Sequence, residues 1–308
     1  MEVELGWGTH DKGDFSHLSE GRTAETKTLN ELLEICDNYR IPFSFDVVGH
    51  LFHESCSGHP ESPHPTKWFA ADPQTDYETD PIFYAPDLVS AIRDANTEHE
   101  ICTHTYSHAL CNQISDSAFS WELEQVTKAH SEFGIAVPKS IVTPRHQEPS
   151  DEVLRDYGIR IIRTPVPGYR DRSRGNLETF WWILTRSHPV RPARVQNGVI
   201  RSYCTPHPSL TATHLPEGQQ SPHPAFSAIP LRIRQWLHRR YLQTALETAV
   251  AKDTDIHLWT HLFNLSNEHQ LAVVKDFLST AARYRDNDEL SIVTMAEFDT
   301  GAADLTKG

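Results

Sequence analysis

The sequence predicts an α/β fold, a parallel (β/α) barrel in which buried strands alternate with amphipathic helices. Three observations point there. Short apolar and β-branched runs recur at 43–48, 100–103, 140–143, 160–163, 256–259 and 290–295, and such runs read as strands covered on both faces. Between most of them lie segments whose apolar residues return every three or four positions, as on one face of a helix. The 308 residues, 38% of them hydrophobic, suffice for one barrel, so 1–308 is expected to be a single domain without internal repeats.

The elements follow in order. Residues 1–5 are β-compatible and run into Gly6 and Gly8, as a strand ending in a loop does. That run starts at Met1 itself, which points to a strand cut short at its start. Leu29, Leu32, Leu33 and Ile35 mark a helix over 26–39, closed by Pro42. The strand at 43–48 encloses one acid, Asp46, and ends at Gly49. Residues 50–86 are rich in Pro, His, Asp and Ser without a period, so they read as a long insertion over the surface beside the strand ends. Helices are expected at 86–95, 120–133, 151–157, 229–251 and 268–284. Residues 164–229 read as irregular, with Phe180, Trp181 and Trp182 as their strongest core signal.

Bulk composition removes several functions. A net charge of −14 disfavours a nucleic-acid surface, which needs Lys and Arg to displace counterions. Five cysteines without CxxC spacing indicate neither a disulfide framework nor a cysteine zinc site. No leader and no apolar run of membrane-spanning length appears, so the default compartment is the cytoplasm.

The sharpest local signal is HTYSH, His104 to His108, directly after the strand at 100–103. Two imidazoles four residues apart can converge on one metal ion. With 19 histidines in the chain, such a pair also arises by chance, so spacing alone leaves a structural pair equally open. The longer stretch HEICTHTYSH resembles the metal motif of the polysaccharide deacetylases, the NodB-homology or carbohydrate esterase family 4 type. IPFSFDVVGH resembles their second barrel strand, HLWTHLFNL the strand ending in their catalytic histidine, and SIVTMAEF their closing strand.

The resemblance implies a distorted barrel of that type and assigns roles. It makes His104, His108 and Glu4 the ligands of one divalent metal ion, zinc foremost. MEVELGWG stands where the family has an acid pair, so Glu2 becomes the general base, one methylene longer than the usual aspartate. Residues i and i+2 of a strand share a face, so both carboxylates can reach one barrel mouth. Arg145, in TPRHQEP, stands for the arginine that orients the base, and His261, rather than His257, for the catalytic acid. Asp46 is expected to point inward and support the site from behind. The acid that tunes the catalytic histidine has no counterpart, since neither Trp181 nor Trp182 has an acid two residues before it. The implied activity is hydrolysis of a non-peptide amide, foremost an N-acetyl group on a sugar or polysaccharide, with Trp7, Trp68 and Tyr84 as candidate stacking faces. A non-sugar amide substrate, or an inactive relative that binds metal or carbohydrate, are the alternatives.

Overall fold

A computed structural model describes residues 1–65, 67–166 and 191–298. The chain begins with β1 (Glu2–Val3), α1 (Thr23–Tyr39), β2 (Ser44–Val47), α2 (Pro86–Arg93), β3 (Glu100–Thr103), α3 (Asp116–Glu132), β4 (Ser140–Val142), α4 (Asp151–Asp156) and β5 (Ile161–Pro165). It continues through β6 (Arg194–Gln196), β7 (Val199–Cys204), α5 (Leu231–Lys252) and α6 (Glu268–Asp286). The sheet runs β1-β2-β3-β4-β5-β7-β6, parallel throughout except for the β6–β7 hairpin.

The barrel is drawn together by the segment around Trp259. His257 bridges Cys204 of β7, and His261 bridges Glu2 of β1, both in parallel sense. The expected strand at 256–259 is therefore present as two bridges, with Glu2 N–H donating to the Thr260 carbonyl at 2.9 Å. Leu29, Leu32, Val273, Val274, Leu88 and Phe45, all almost fully buried, seal the helix layer against the sheet. Apolar burial of this kind is the main favourable term in folding.

Two expectations fail. Residues 290–295 form no strand, because side chains take the place of a ladder: Met295 N–H donates to Ser44 Oγ at 2.8 Å and Ala296 N–H to Glu100 Oε2 at 3.0 Å. Residues 164–229 are not wholly irregular, since they contain the end of β5 and the β6–β7 hairpin. Phe180, Trp181 and Trp182 lie outside the described residues. Among those described, no helix is long and apolar enough to cross a membrane.

The core also holds neutral histidines. His130 is fully buried, with Nδ1 2.8 Å from the Ala136 carbonyl, and His238 has Nε2 2.9 Å from the Leu210 carbonyl. Burial pushes them down to about 4 and about 3. Their folded values lie below the unfolded one, so stability is complete above about pH 6.5 and falls as the unfolded chain takes up protons the native state refuses. Each should remove about 1.4 kcal/mol per pH unit below that point. Urea midpoints at pH 6.5 and 5.5 should therefore differ markedly; a flat profile would contradict the neutral burial of both rings.

Candidate active site

The HTYSH turn follows β3 and departs from ordinary backbone geometry. Thr105 and His108 adopt φ of 62° and 59°, a left-handed conformation uncommon for residues with a Cβ. Such a turn persists only if its surroundings over-determine it, and Glu122 of α3 does so. Its Oε2 accepts from the Tyr106 and Ser107 N–H groups, both at 2.8 Å, and its Oε1 accepts from the Ser107 hydroxyl at 2.6 Å and lies 2.6 Å from His64 Nε2. Glu122→Ala should cost roughly 3 kcal/mol or more, because it strands several buried donors together. Urea unfolding checks this, and a loss below about 1 kcal/mol would show that the turn holds without the carboxylate.

This turn aims two imidazoles at the first strand. His104 Nδ1 lies 2.8 Å from the Val142 carbonyl, which fixes the proton on Nδ1 and turns the Nε2 lone pair inward. That Nε2 sits 3.4 Å from Glu4 Oε2, and His108 Nε2 sits 3.1 Å from the same oxygen. A Cβ at Gly8 would stand 2.4 Å from the Glu4 carboxyl carbon, so a side chain there would displace the carboxylate.

Glu2 lies one face-step back. Its Oε1 ion-pairs with Arg163 Nη2, and its Oε2 is 3.0 Å from His261 Nε2 and 3.7 Å from His104 Nε2. His261 is oriented through its other nitrogen, with Nδ1 2.6 Å from Asn264 Oδ1. Asp46 is buried behind this group. Its Oδ2 lies 3.5 Å from Arg163 Nη1 and 3.4 Å from the Met1 amino group, and its Oδ1 accepts from the Cys102 thiol at 2.8 Å. It points inward and meets the arginine rather than the two histidines. The Arg163 guanidinium also lies 4.4 Å from the centre of the Trp259 ring.

The charges settle accordingly. Burial works to raise Glu2, yet Arg163, His261 and His104 hold it well below the usual carboxylate range. Glu4 is likewise held down against burial, by His261, His104 and His108. Burial alone would lower His261, but the Glu2 and Glu4 carboxylates raise it to about 9. Burial lowers His108, which favours the neutral imidazole.

A divalent ion fits the Glu4, His104 and His108 group. One atom from each lies within 4.8 Å of the others, and buried His104 Nε2 makes no hydrogen bond despite facing a carboxylate. Buried polar atoms seldom go unpaired, and a lone pair aimed at two further donors is what a cation takes up.

Glu2, Glu4, His104, His108 and His261 thus meet at the carboxyl ends of the strands. Arg145 does not join them. It rises into the left-handed region at φ 50° and its Nη2 pairs with Asp11, at 2.7 and 2.8 Å, on the half-exposed rim. Arg163, which the sequence reading missed, holds Glu2 instead, and Asn264 holds His261. Trp7 and Tyr84 are fully buried, with Trp7 Nε1 donating to the Phe83 carbonyl and the Tyr84 hydroxyl donating to Asp72, so neither offers a face to a sugar. Trp68 is partly exposed and donates from Nε1 to Ser107 Oγ at 2.8 Å, which brings the 50–86 insertion against the HTYSH turn.

The sequence pattern of the polysaccharide deacetylase family matches residues 8–162, half of the chain. The match contains His104, His108 and Arg145 and stops short of Glu2, Glu4, Arg163 and His261. No curated protein matches by sequence. Among solved structures, one assigned as a polysaccharide deacetylase from Mycobacterium smegmatis superposes with a TM-score of 0.61 at 15% identity, covering 99% of this chain and 89% of its own. Another so assigned, from Pseudomonas aeruginosa PAO1, gives 0.53 at 11% identity, over 90% of this chain and 73% of its own. The PuuE allantoinase gives 0.53 at 11% identity, over 90% and 71%. These likenesses establish the fold.

Proposed function

From the premise that this chain belongs to the polysaccharide deacetylase family, and is therefore a hydrolytic enzyme, we propose that it is a metal-dependent deacetylase that removes N-acetyl groups from a sugar or polysaccharide. One observation carries the reading: a two-histidine, one-carboxylate group lies beside a carboxylate–imidazole pair in a single, largely buried cluster. Glu4, His104 and His108 would hold the ion, and two imidazoles with one carboxylate suit zinc. When bound, it supplies an electrophile for the amide oxygen and a more acidic water.

The remaining roles belong to the chain. Glu2, kept ionised by Arg163, accepts the proton of the attacking water. Its longer side chain is accommodated because Arg163 fixes one oxygen while leaving the other toward His261 and His104. His261, protonated at neutral pH and fixed through Asn264, delivers a proton from Nε2 to the departing amine. Asp46 shares the Arg163 guanidinium and thereby positions it.

The test is acetate release from chito-oligosaccharides by the zinc-loaded protein, with allantoin as the contrasting small cyclic amide. The expected result is acetate from the N-acetylated sugar, abolished by a chelator and restored by metal. Opening of allantoin without acetate release would transfer the same site to a non-sugar amide.

A further inference from the structure

Outside the cleft, the long insertion gathers a second set of metal-ligating side chains. His50, Cys56, His59 and Asp72 each bring one ligand atom to within 4.8 Å of the others. His50 Nε2 is 3.1 Å from His59 Nε2 and 3.5 Å from Asp72 Oδ2, while His59 Nε2 is 3.3 Å from Cys56 Sγ and 3.2 Å from Asp72 Oδ2. Four ligands placed tetrahedrally about zinc, with bonds of about 2.0 Å to N or O and about 2.3 Å to S, stand roughly 3.3 to 3.6 Å from one another. The observed spacings are close to the edges of that tetrahedron.

Hydrogen bonding does not serve every close contact in the cluster. His50 Nδ1 faces the Phe83 carbonyl at 3.3 Å, so the His50 proton belongs there and Nε2 presents a lone pair. His59 Nε2 then faces that lone pair, a carboxylate oxygen and a sulfur at once, and a single proton can serve one of them. A Cys–His–Asp nucleophilic relay is excluded for a related reason. Such a relay uses the two ring nitrogens for different partners, whereas Cys56 and Asp72 both meet the same Nε2. The atoms converge on a point.

The surroundings are those of a ligand set. The other Asp72 oxygen accepts from the Tyr84 hydroxyl at 2.5 Å and from Gln74 N–H at 3.1 Å, which leaves Oδ2 for the centre. Gly58 N–H donates to Cys56 Sγ at 3.2 Å, as suits a thiolate, and Phe69 stacks on His59 with ring centres 4.1 Å apart. Outer partners of this kind fix ligand tautomer and direction. His50 and Asp72 are buried, whereas Cys56 and His59 remain partly accessible, which gives an ion a way in.

We propose that His50, Cys56, His59 and Asp72 form a second, structural metal site that takes a tetrahedral divalent transition ion of the zinc type. It closes the insertion upon itself and onto the end of β2. The segment between His50 and Pro86 has little regular secondary structure, so an ion linking residues far apart along it would supply the order that ladders supply elsewhere. All four ligands are used, so the ion keeps no open position and has no part in hydrolysis.

The test exploits sulfur, which the cleft's ligand group lacks. Full-length protein is produced in zinc-depleted medium supplemented with cobalt, and its ultraviolet–visible spectrum is recorded together with metal content. The proposal expects a thiolate-to-cobalt charge-transfer band and intense tetrahedral cobalt bands in the native protein and in the His104→Ala/His108→Ala variant, with loss of the charge-transfer band in Cys56→Ser. Cobalt bound to native protein without that band, or no cobalt bound, overturns it. Should either variant fail to fold, the native spectrum alone still decides. The outcome is independent of the reading of the cleft, since a protein with an inert cleft would still show the band.

Discussion

Replacing Glu2 by glutamine should lower kcat on an N-acetylated sugar by about three orders of magnitude, within the range that a positioned general base contributes. The amide keeps the shape of the carboxylate but accepts no proton from water. KM should move little, because Glu2 meets Arg163, His261 and His104 rather than an open surface. Metal content should be retained, since the oxygen nearest both metal-motif imidazoles is Glu4 Oε2. Glu4→Gln should show the opposite pattern, with metal lost and activity lost as a consequence. Equal metal loss in both variants would show that the two carboxylates share the ion and would remove the distinction between base and ligand.

The second large effect belongs to Arg163. The guanidinium is almost fully buried and lies between Glu2 and Asp46, two carboxylates that are themselves buried. Arg163→Met fills similar volume but leaves both acids without their cation, and breaking a buried pair in this way costs about 3–5 kcal/mol. The sign of the pH effect follows from Glu2. Arg163 helps to hold its carboxyl below the ordinary value, so the stabilisation is present above the unfolded pKa and is lost as pH falls through the folded one. Removing the arginine raises the folded value, so the acid limb of activity should move to higher pH while urea stability drops at neutrality. A variant with native stability and an unshifted acid limb would show that Arg163 does not govern Glu2. Arg163→Lys should restore part of the stability, because a cation returns without the two-pronged geometry.

How much of this was legible in the sequence differs residue by residue. His104 and His108 lie four residues apart in one turn after an apolar strand, so a local pattern sufficed. Strand alternation suffices to set Glu2 and Glu4 side by side, although β1 ends at Val3 and Glu4 stands just beyond it. Arg163 was hidden because an arginine inside IIRTP reads as one polar position in a strand; only the barrel, which brings β5 across from β1, makes it a partner of Glu2. Asn264 was hidden for a different reason. The reading sought an acid before a tryptophan, whereas the orienting group lies one helical step beyond His261 and is neutral. The β6–β7 hairpin has a signal of its own in the sequence: Asn197-Gly198 between Gln196 and Val199 is the two-residue turn in which both residues take positive φ, and they do so here at 51° and 78°. The failed strand at 290–295 shows the converse. SIVTM has strand composition, but pairing partners are a tertiary matter, and Ser44 and Glu100 occupy the amides instead.

The most direct measurement of the central claim is the anomalous diffraction of zinc-soaked crystals, recorded on either side of the zinc edge. The proposed function predicts a peak within about 2.0–2.2 Å of Glu4, His104 Nε2 and His108 Nε2, with Glu2 and His261 beyond bonding distance. A cleft without a peak at full zinc loading, or a peak bound by Glu2 and His261 in place of the HTYSH imidazoles, would contradict it.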